Sequence, residues 1–448
     1  MSSDLEQKKQ KILELVSEYI KEKNVNTWDK DKDWVSYSGP IFDDEEYKAA
    51  IDTLLKGWLI VGEDASKFEQ VFPQLLGKKV GVLTNSGSSA NLLMVSAAKS
   101  RKMFNLKDGD KFITPVVCFP TTINPLIQNN LKPVFVDVEL PSLNLNLDEV
   151  EKKLQEDPEI KGIIFAHVLG NPPDMDRLMN LVEKYNLIFL EDACDALGSS
   201  YDGKKLGSYG HLSTCSFFPA HHMTMGEGGF VAANGMKEKM VLASFRDWGR
   251  ACYCNVSSPG CVTSKTACGN RFRNWFNTEE NIIYDHRYVF DEIGYNLKPL
   301  DLQASIGLKQ LDKLPYLENA RRQNFEKLKK IFNKYEQYFY TPEATNKSDP
   351  CWFGFLLTIK DGSPFSKQHF VEYLESNRIQ TRSYFSGNIL LHPGYKHLAT
   401  EYGNLVKEFP IANKATKDTF FLGTYAGITE EKLAYIEEMV DNYMKLWI

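Results

Sequence analysis

No apolar run in this chain approaches the roughly eighteen residues that a membrane-spanning helix needs, so an integral membrane role is not expected. Positive charge is not in excess either. With 53 Lys and Arg against 59 Asp and Glu, the net charge of −6 argues against a nucleic-acid partner. The opening residues, Ser2, Ser3, Asp4 and a charged stretch, lack the apolar core of a secretory signal, and a cytoplasmic location is the expectation. There are no internal repeats, low-complexity tracts or long linkers. Cysteine is sparse, eight in 448 residues, and with no export signal a disulfide framework is not expected. Yet Cys252, Cys254, Cys261 and Cys268 fall within seventeen residues, which points instead to a metal or cluster site. With 43% hydrophobic and 25% charged residues, what remains has the balance of a globular enzyme of two or three domains.

The order of elements follows from periodicity. Residues 4–23 place Ile12, Leu13, Leu15, Val16, Tyr19 and Ile20 at helical spacing, a packing or dimer-clasping arm. Asp43-Asp44-Glu45-Glu46 opens a second helix that ends near Gly57, its acidic first turn suiting the positive end of the helix dipole. From Lys79 short apolar runs alternate with helical stretches. The runs Lys79–Thr84, Lys111–Pro115, Val134–Asp137, Gly162–His167 and Leu187–Glu191 read as strands. Helices between buried strands imply a mainly parallel sheet covered on both faces, with ligands at the carboxyl ends of its strands. Past about Lys330 the alternation loosens. An apolar Phe353–Ile359 run, a helical Pro364–Ser376 stretch and a closing helix from Glu430 to Leu446 suggest a smaller C-terminal domain covering the site. The expected division is 1–335 and 336–448.

Several short blocks stand at strand ends. Asn85-Ser86-Gly87-Ser88-Ser89-Ala90 joins a strand to a helix, and such a turn offers free backbone N–H groups to a phosphate. Phe119 lies in Cys118-Phe119-Pro120-Thr121-Thr122, and Asp192 in Leu190-Glu191-Asp192-Ala193-Cys194-Asp195-Ala196-Leu197-Gly198. Cys215-Ser216-Phe217-Phe218-Pro219-Ala220-His221-His222 runs on to Glu227-Gly228-Gly229, and Gly294-Tyr295-Asn296-Leu297-Lys298-Pro299 comes later. Taken in order, these blocks resemble the DegT/DnrJ/StrS class of sugar aminotransferases. The resemblance implies an α/β chain with the pyridoxal phosphate (PLP)-dependent, aspartate aminotransferase-like fold: a large domain with a mainly parallel sheet and a smaller C-terminal α/β domain. It also implies roles. Gly87, Ser88 and Ser216 would hold the cofactor phosphate, Phe119 would stack on its ring, and Asp192 would pair with the pyridine nitrogen. Asn296 would reach the cofactor phosphate of a neighbouring subunit, which implies a homodimer. Lys298 replaces the arginine more usual in the family.

Where that family carries its Schiff-base lysine, five residues after Ser216 and six before Glu227, this chain has His221. Histidine cannot tether an aldehyde cofactor but can move protons near neutral pH. The exchange resembles a branch of 3-dehydrases that use pyridoxamine phosphate (PMP) in deoxysugar and lipopolysaccharide O-antigen biosynthesis. In one subtype, acting on a CDP-4-keto-6-deoxyhexose, a 2Fe-2S cluster passes electrons from a flavin/iron–sulfur reductase. In another no cluster is needed and ammonia is released. The cluster-bearing pattern has fifty-seven residues between its first two cysteines, as there are between Cys194 and Cys252 here, and continues Cys-x-Cys, as in Cys252-Tyr253-Cys254. Cys268, in Cys-Gly-Asn-Arg-Phe, matches the fourth ligand across a six-residue insertion, and Cys261 competes for that place. Spacing alone leaves zinc open beside iron–sulfur; the resemblance favours the cluster. Cys118, Cys215 and Cys351 read as core residues. Three other readings stay open: a cluster-free dehydrase, an aminotransferase using Lys204 or Lys205, and a non-catalytic sugar-nucleotide sensor. Arg250, Lys298 and Arg382 are the candidates to meet a diphosphate, and nothing in the sequence ranks them.

Overall fold

A computed structural model of the chain describes residues 3–25, 27–252, 271–273, 280 and 282–447. Strands β1 (Val80–Thr84), β2 (Lys111–Pro115), β3 (Lys132–Val136), β4 (Ile160–Ala166) and β5 (Ile188–Asp192) alternate with helices, as the apolar runs predict. Short strands β6 (Ser200–Tyr201) and β7 (Lys204–Lys205) precede β8 (Leu212–Ser216) and β9 (Gly229–Ala233). The C-terminal part adds β10 (Phe339–Tyr340), β11 (Ser348–Asp349), β12 (Gly354–Ile359), β13 (Arg382–Ser383) and β14 (Thr419–Gly423).

Seven strands form one sheet in the order β1-β9-β8-β5-β4-β2-β3. From β8 to β3 every pair is parallel, whereas β9 runs antiparallel to both β1 and β8. The reversal matters for the site. It puts the start of β9 beside the ends of its neighbours, with Gly229 opposite both Thr84 and Ser216. Asp192 ends β5 opposite Ala166 on one side and Thr214 on the other. The segments leaving β1, β5 and β8 therefore emerge along one edge, where open α/β sheets take their ligands.

Helices bury a stripe against each face. In Leu147–Glu156 and Met175–Lys184 the apolar residues recur three and four apart, and Leu147, Val150, Leu154, Met175, Leu178, Leu181 and Val182 are the buried ones. Gly87–Lys99 is covered on most sides, which its run of small residues and Leu93, Met94 and Val95 allows. The acidic turn at Asp43 is a capping box, in which the Asp43 side chain accepts from the Glu45 amide and Glu46 accepts from the Asp43 amide. A 33-residue helix, Asp301–Asn333, was not legible in the sequence and spans both cores. Leu314 and Leu317 pack with the large sheet, while Phe325, Leu328, Ile331 and Phe332 pack with a second, antiparallel sheet ordered β10-β12-β14-β13. No helix among the described residues is long and apolar enough to cross a membrane.

One buried ion pair fixes β1. Arg246 Nη1 lies 2.6 Å from Glu69 Oε1 and donates to the Leu83 carbonyl (2.9 Å), while the same carboxylate oxygen accepts from the Leu83 amide (3.0 Å). Stripping one partner from a buried pair leaves an uncompensated charge. Arg246→Met is expected to lower unfolding stability by about 3 kcal/mol in denaturant titration, and Arg246→Met with Glu69→Leu to recover only part of it, because Arg246 also lies 3.4 Å from Asp247 and Glu69 3.5 Å from Lys239.

Candidate active site

The edge described above opens into a cavity of about 720 Å³, walled by Ser86–Ser88, Phe119, Asp192, Ser216 and His221 from the large sheet and by Phe353, Arg382 and Phe385 from the C-terminal part. Ser86 caps the Gly87–Lys99 helix, its hydroxyl accepting from the Ser89 amide (3.1 Å), and its carbonyl accepts from the Ala90 amide (3.0 Å). The amides of Gly87 and Ser88, the first two of the helix, are left over at its positive end for an anion. Close packing holds this turn in place. A Cβ on Gly229 would lie 2.2 Å from the Ser86 carbonyl oxygen, and one on Gly87 would lie 2.5 Å from Ser216 Cβ. These glycines are required by contact rather than by backbone angle. They bring Ser216 against the phosphate turn.

Asp192 is buried and held on three sides. Its Oδ2 accepts from Asn91 Nδ2 (2.8 Å) and Thr122 Oγ1 (2.9 Å), and its Oδ1 accepts from the Cys194 amide (3.1 Å). Asn91 is itself fixed by Thr214, whose hydroxyl donates to Asn91 Oδ1 (2.6 Å). Phe119, expected over a cofactor ring, is 49% exposed instead of packed in the core, with its edge toward Phe385. These residues fit a phosphorylated pyridine: an anion turn, an oriented carboxylate and a free aromatic face in one cavity.

His221 lines the cavity, and the adjacent His222 is buried with its Nε2 2.6 Å from the Cys351 carbonyl oxygen. Nδ1 of His221 lies 3.4 Å from Asp195 Oδ1, and the ring centroid lies 5.2 Å from that of Phe353. Arg321, fully buried on the long helix, donates to the carbonyls of Ala220 (3.1 Å), His221 (2.9 Å) and Phe353 (3.0 Å). Burial first, and then the Arg321 charge, push the His221 pKa down to about 3. Burial and the neighbouring Asp192 push Asp195 well above the usual carboxylate range, so it does not hold the imidazole charged. His221 is therefore a neutral imidazole, close to Asp195 through Nδ1 but making no hydrogen bond from that atom.

No lysine lines the cavity among the described residues. Lys204 and Lys205 lie on β7, in a separate three-stranded sheet with β6 and β11, and are exposed. Neither can serve as the tethering amine. Asn296 is exposed and lies outside its own chain's cavity, with its backbone bridged to Asp247. Of the cluster candidates, Cys194 stands in the cavity wall with Sγ 4.0 Å from Thr214 Oγ1, its thiol pushed up by burial and Asp192. Cys252 is a half-buried free thiol. Cys254, Cys261 and Cys268 lie outside the described residues. Among the described residues no group of three metal-ligating side chains forms a site, so the expected cluster finds no support in the geometry. Cys118, Cys215 and Cys351 are buried in the core. Sequence reasoning missed Asp195, whose signal was its place three residues after Asp192. It also missed Asn91, Thr122, Phe353 and Tyr37, which only the folded chain brings to the site.

Sheet order and cavity together define a PLP-dependent aminotransferase-like fold. The profile of the DegT/DnrJ/EryC1/StrS aminotransferase family matches residues 40–441, and the chain belongs to that family. It is 39% identical over 411 residues to the lipopolysaccharide biosynthesis protein RfbH of Salmonella typhimurium, covering 91% of each chain. It is 38% identical over 438 residues to dTDP-4-dehydro-2,6-dideoxy-D-glucose 3-dehydratase of Saccharopolyspora spinosa, covering 97% of this chain and 92% of that one. The solved structure of Escherichia coli GDP-4-keto-6-deoxy-D-mannose-3-dehydratase with bound hydrated PLP superposes with a TM-score of 0.77 at 28% identity, covering 90% and 98%.

Two outcomes test the site. Gly229→Ala is expected to displace the phosphate turn and raise the Kd for PMP about tenfold or more, read by absorbance titration. Because the His221 pKa is lowered, the base form persists to low pH. A pH–rate profile should show no acid limb from His221 between about pH 5 and 8, the range in which an ordinary imidazole titrates.

Proposed function

We propose that this protein is a PMP-dependent 3-dehydratase of a nucleoside-diphosphate-linked 4-keto-6-deoxyhexose, acting in deoxysugar biosynthesis. The observation that carries this reading is a neutral histidine, with no lysine beside it among the described residues, in a cavity otherwise equipped for a phosphorylated pyridine. The dehydratase names of the relatives support it.

When bound, the cofactor supplies a primary amine for the sugar ketone and a protonated ring that draws electrons. The chain's residues do the rest. Gly87, Ser88 and Ser216 bind the phosphate at the helix N-terminus. Asp192, oriented by Asn91 and Thr122, keeps a proton on the pyridine nitrogen. Phe119 presents its face to the ring. His221 accepts a proton at Nε2 and can return it to the departing C-3 hydroxyl, so one imidazole serves as base and acid. A lysine at position 221 would also tether the aldehyde form of the cofactor, as transamination requires. Histidine moves the proton without the tether.

Replacing the C-3 hydroxyl by hydrogen takes two electrons, which a reductase would supply or, where ammonia is released, the amine form of the cofactor would supply on ending as the aldehyde. The family resemblance favours a 2Fe-2S cluster on Cys194, Cys252, Cys254 and Cys268 or Cys261, fed by a flavin/iron–sulfur reductase, and a cluster-free enzyme that releases ammonia is the alternative. Iron and sulfide in equal amounts in anaerobically purified protein favour the first, and their absence with ammonia release favours the second. The position of Asn296 outside its own cavity supports the homodimer that the family resemblance implies.

Incubation with PMP and CDP-, dTDP- or GDP-linked 4-keto-6-deoxyhexose is expected to yield a product lighter by one water for at least one nucleotide, read by mass spectrometry. His221→Asn is expected to lower that rate by about a hundredfold or more while leaving PMP bound. Amino transfer in place of water loss would overturn the reading.

A further inference from the structure

On the reading above, the substrate carries a diphosphate, and the cavity must meet it with positive charge. Two of the three cations that the sequence offers are engaged elsewhere. Lys298 Nζ lies 2.9 Å from Asp247 Oδ1 and 3.5 Å from the centroid of the Trp248 ring, and Arg250 lies over the same ring at 4.6 Å. Neither lines the cavity.

Arg382 does. Among the described residues it is the only lysine or arginine on the cavity wall, and it forms no ion pair with a carboxylate of those residues. Its guanidinium lies over the Tyr37 ring, 4.0 Å from the centroid, and Nη1 donates to the Thr381 carbonyl (2.7 Å).

The support beneath it is built in from three directions. Arg382 pairs with Phe421 across β13 and β14, and the Tyr37 ring meets Phe421 edge-on at 6.1 Å. The Tyr37 amide donates to Gln380 Oε1 (3.3 Å), and Val35 bridges to Ile379 in parallel. The strap carrying Tyr37 is pressed so close to β14 that a Cβ on Gly423 would lie 1.9 Å from the Tyr37 carbonyl oxygen. The Tyr37 ring and the Thr381 carbonyl hold the guanidinium at the cavity wall, and the side chain is exposed. A planar donor fork held this way suits phosphate oxygens better than a lone ammonium would. The charge is needed, because the acidic groups on the wall, Asp192, Asp195 and Glu227, offer a diphosphate nothing positive.

We infer that Arg382, stacked on Tyr37, is the diphosphate subsite for a nucleoside-diphosphate substrate. Its test does not depend on turnover. PMP-loaded protein is titrated calorimetrically with CDP, dTDP and GDP, with the matching nucleosides, and with inorganic pyrophosphate. The wild-type protein is expected to bind at least one nucleoside diphosphate more tightly than its nucleoside. Arg382→Gln is expected to weaken diphosphate binding about ten- to a hundredfold and to leave nucleoside binding unchanged. Arg382→Lys should restore part of the loss, Tyr37→Phe should bind as wild type, and Tyr37→Leu should fall between. Arg382 is exposed on an edge strand, and thermal melts of each variant confirm that the fold is intact.

Wild-type affinity in Arg382→Gln, or an equal loss for nucleoside and diphosphate, overturns the subsite and leaves the dehydratase reading standing. A loss on Arg250→Gln with none on Arg382→Gln moves the diphosphate elsewhere and also overturns it. Pyrophosphate binding as tightly as the best nucleoside diphosphate marks a general anion site instead of a substrate subsite. A wild-type protein that binds no nucleoside diphosphate overturns both this inference and the function on which it rests.

Discussion

A single reversed strand organises this molecule. Because β9 runs against β1 and β8, Gly229 stands level with Thr84 and Ser216, where β1 and β8 end. The loop carrying His221 leaves β8 and returns through β9 directly beside the turn that caps the Gly87–Lys99 helix. A Cβ on Gly229 would run into the Ser86 backbone and one on Gly87 into the Ser216 side chain, so the two loops are locked by close contact. Asp192, two strands from β9, is oriented by Asn91 from the capped helix and by Thr122 from the helix after Phe119. Three separate connections are thereby tied to one carboxylate.

The chemistry of His221 follows from what surrounds it as much as from its identity. An exposed imidazole would be partly protonated near neutral pH. Here burial and a cation with no carboxylate ion-pair partner among the described residues keep it neutral. Arg321 uses its donors on main-chain carbonyls of two segments, the His221 loop and the residues leading into β12, so it joins the two parts of the chain behind the cavity. The same side chain thus places the imidazole and disfavours its charged form.

Much of this was legible in the sequence because it is local. The strand–helix alternation, the capped turn at Ser86, Asp192 at a strand end and the histidine between Ser216 and Glu227 each depend on residues close in the chain. What was missed depends on contacts between distant segments. Asp195 gains meaning only from a ring twenty-six residues away, and Tyr37 only from β13 and β14, more than three hundred residues further on. The long helix Asp301–Asn333 hid because it serves two cores, so its buried positions follow no single stripe and Pro315 interrupts its pattern. The cysteine spacing was equally plain in sequence, but most of that constellation lies beyond the described residues, and Cys194 faces the cofactor cavity.

The central claim is that an imidazole occupies the place of a tethering amine and leaves the vitamin B6 cofactor uncoupled from the chain. Borohydride reduction of the protein saturated with PLP, followed by intact-mass measurement, tests it most directly. The account predicts an unmodified chain from wild-type protein and one covalently attached cofactor from His221→Lys. A reduced cofactor attached to any lysine of the wild-type chain would contradict it.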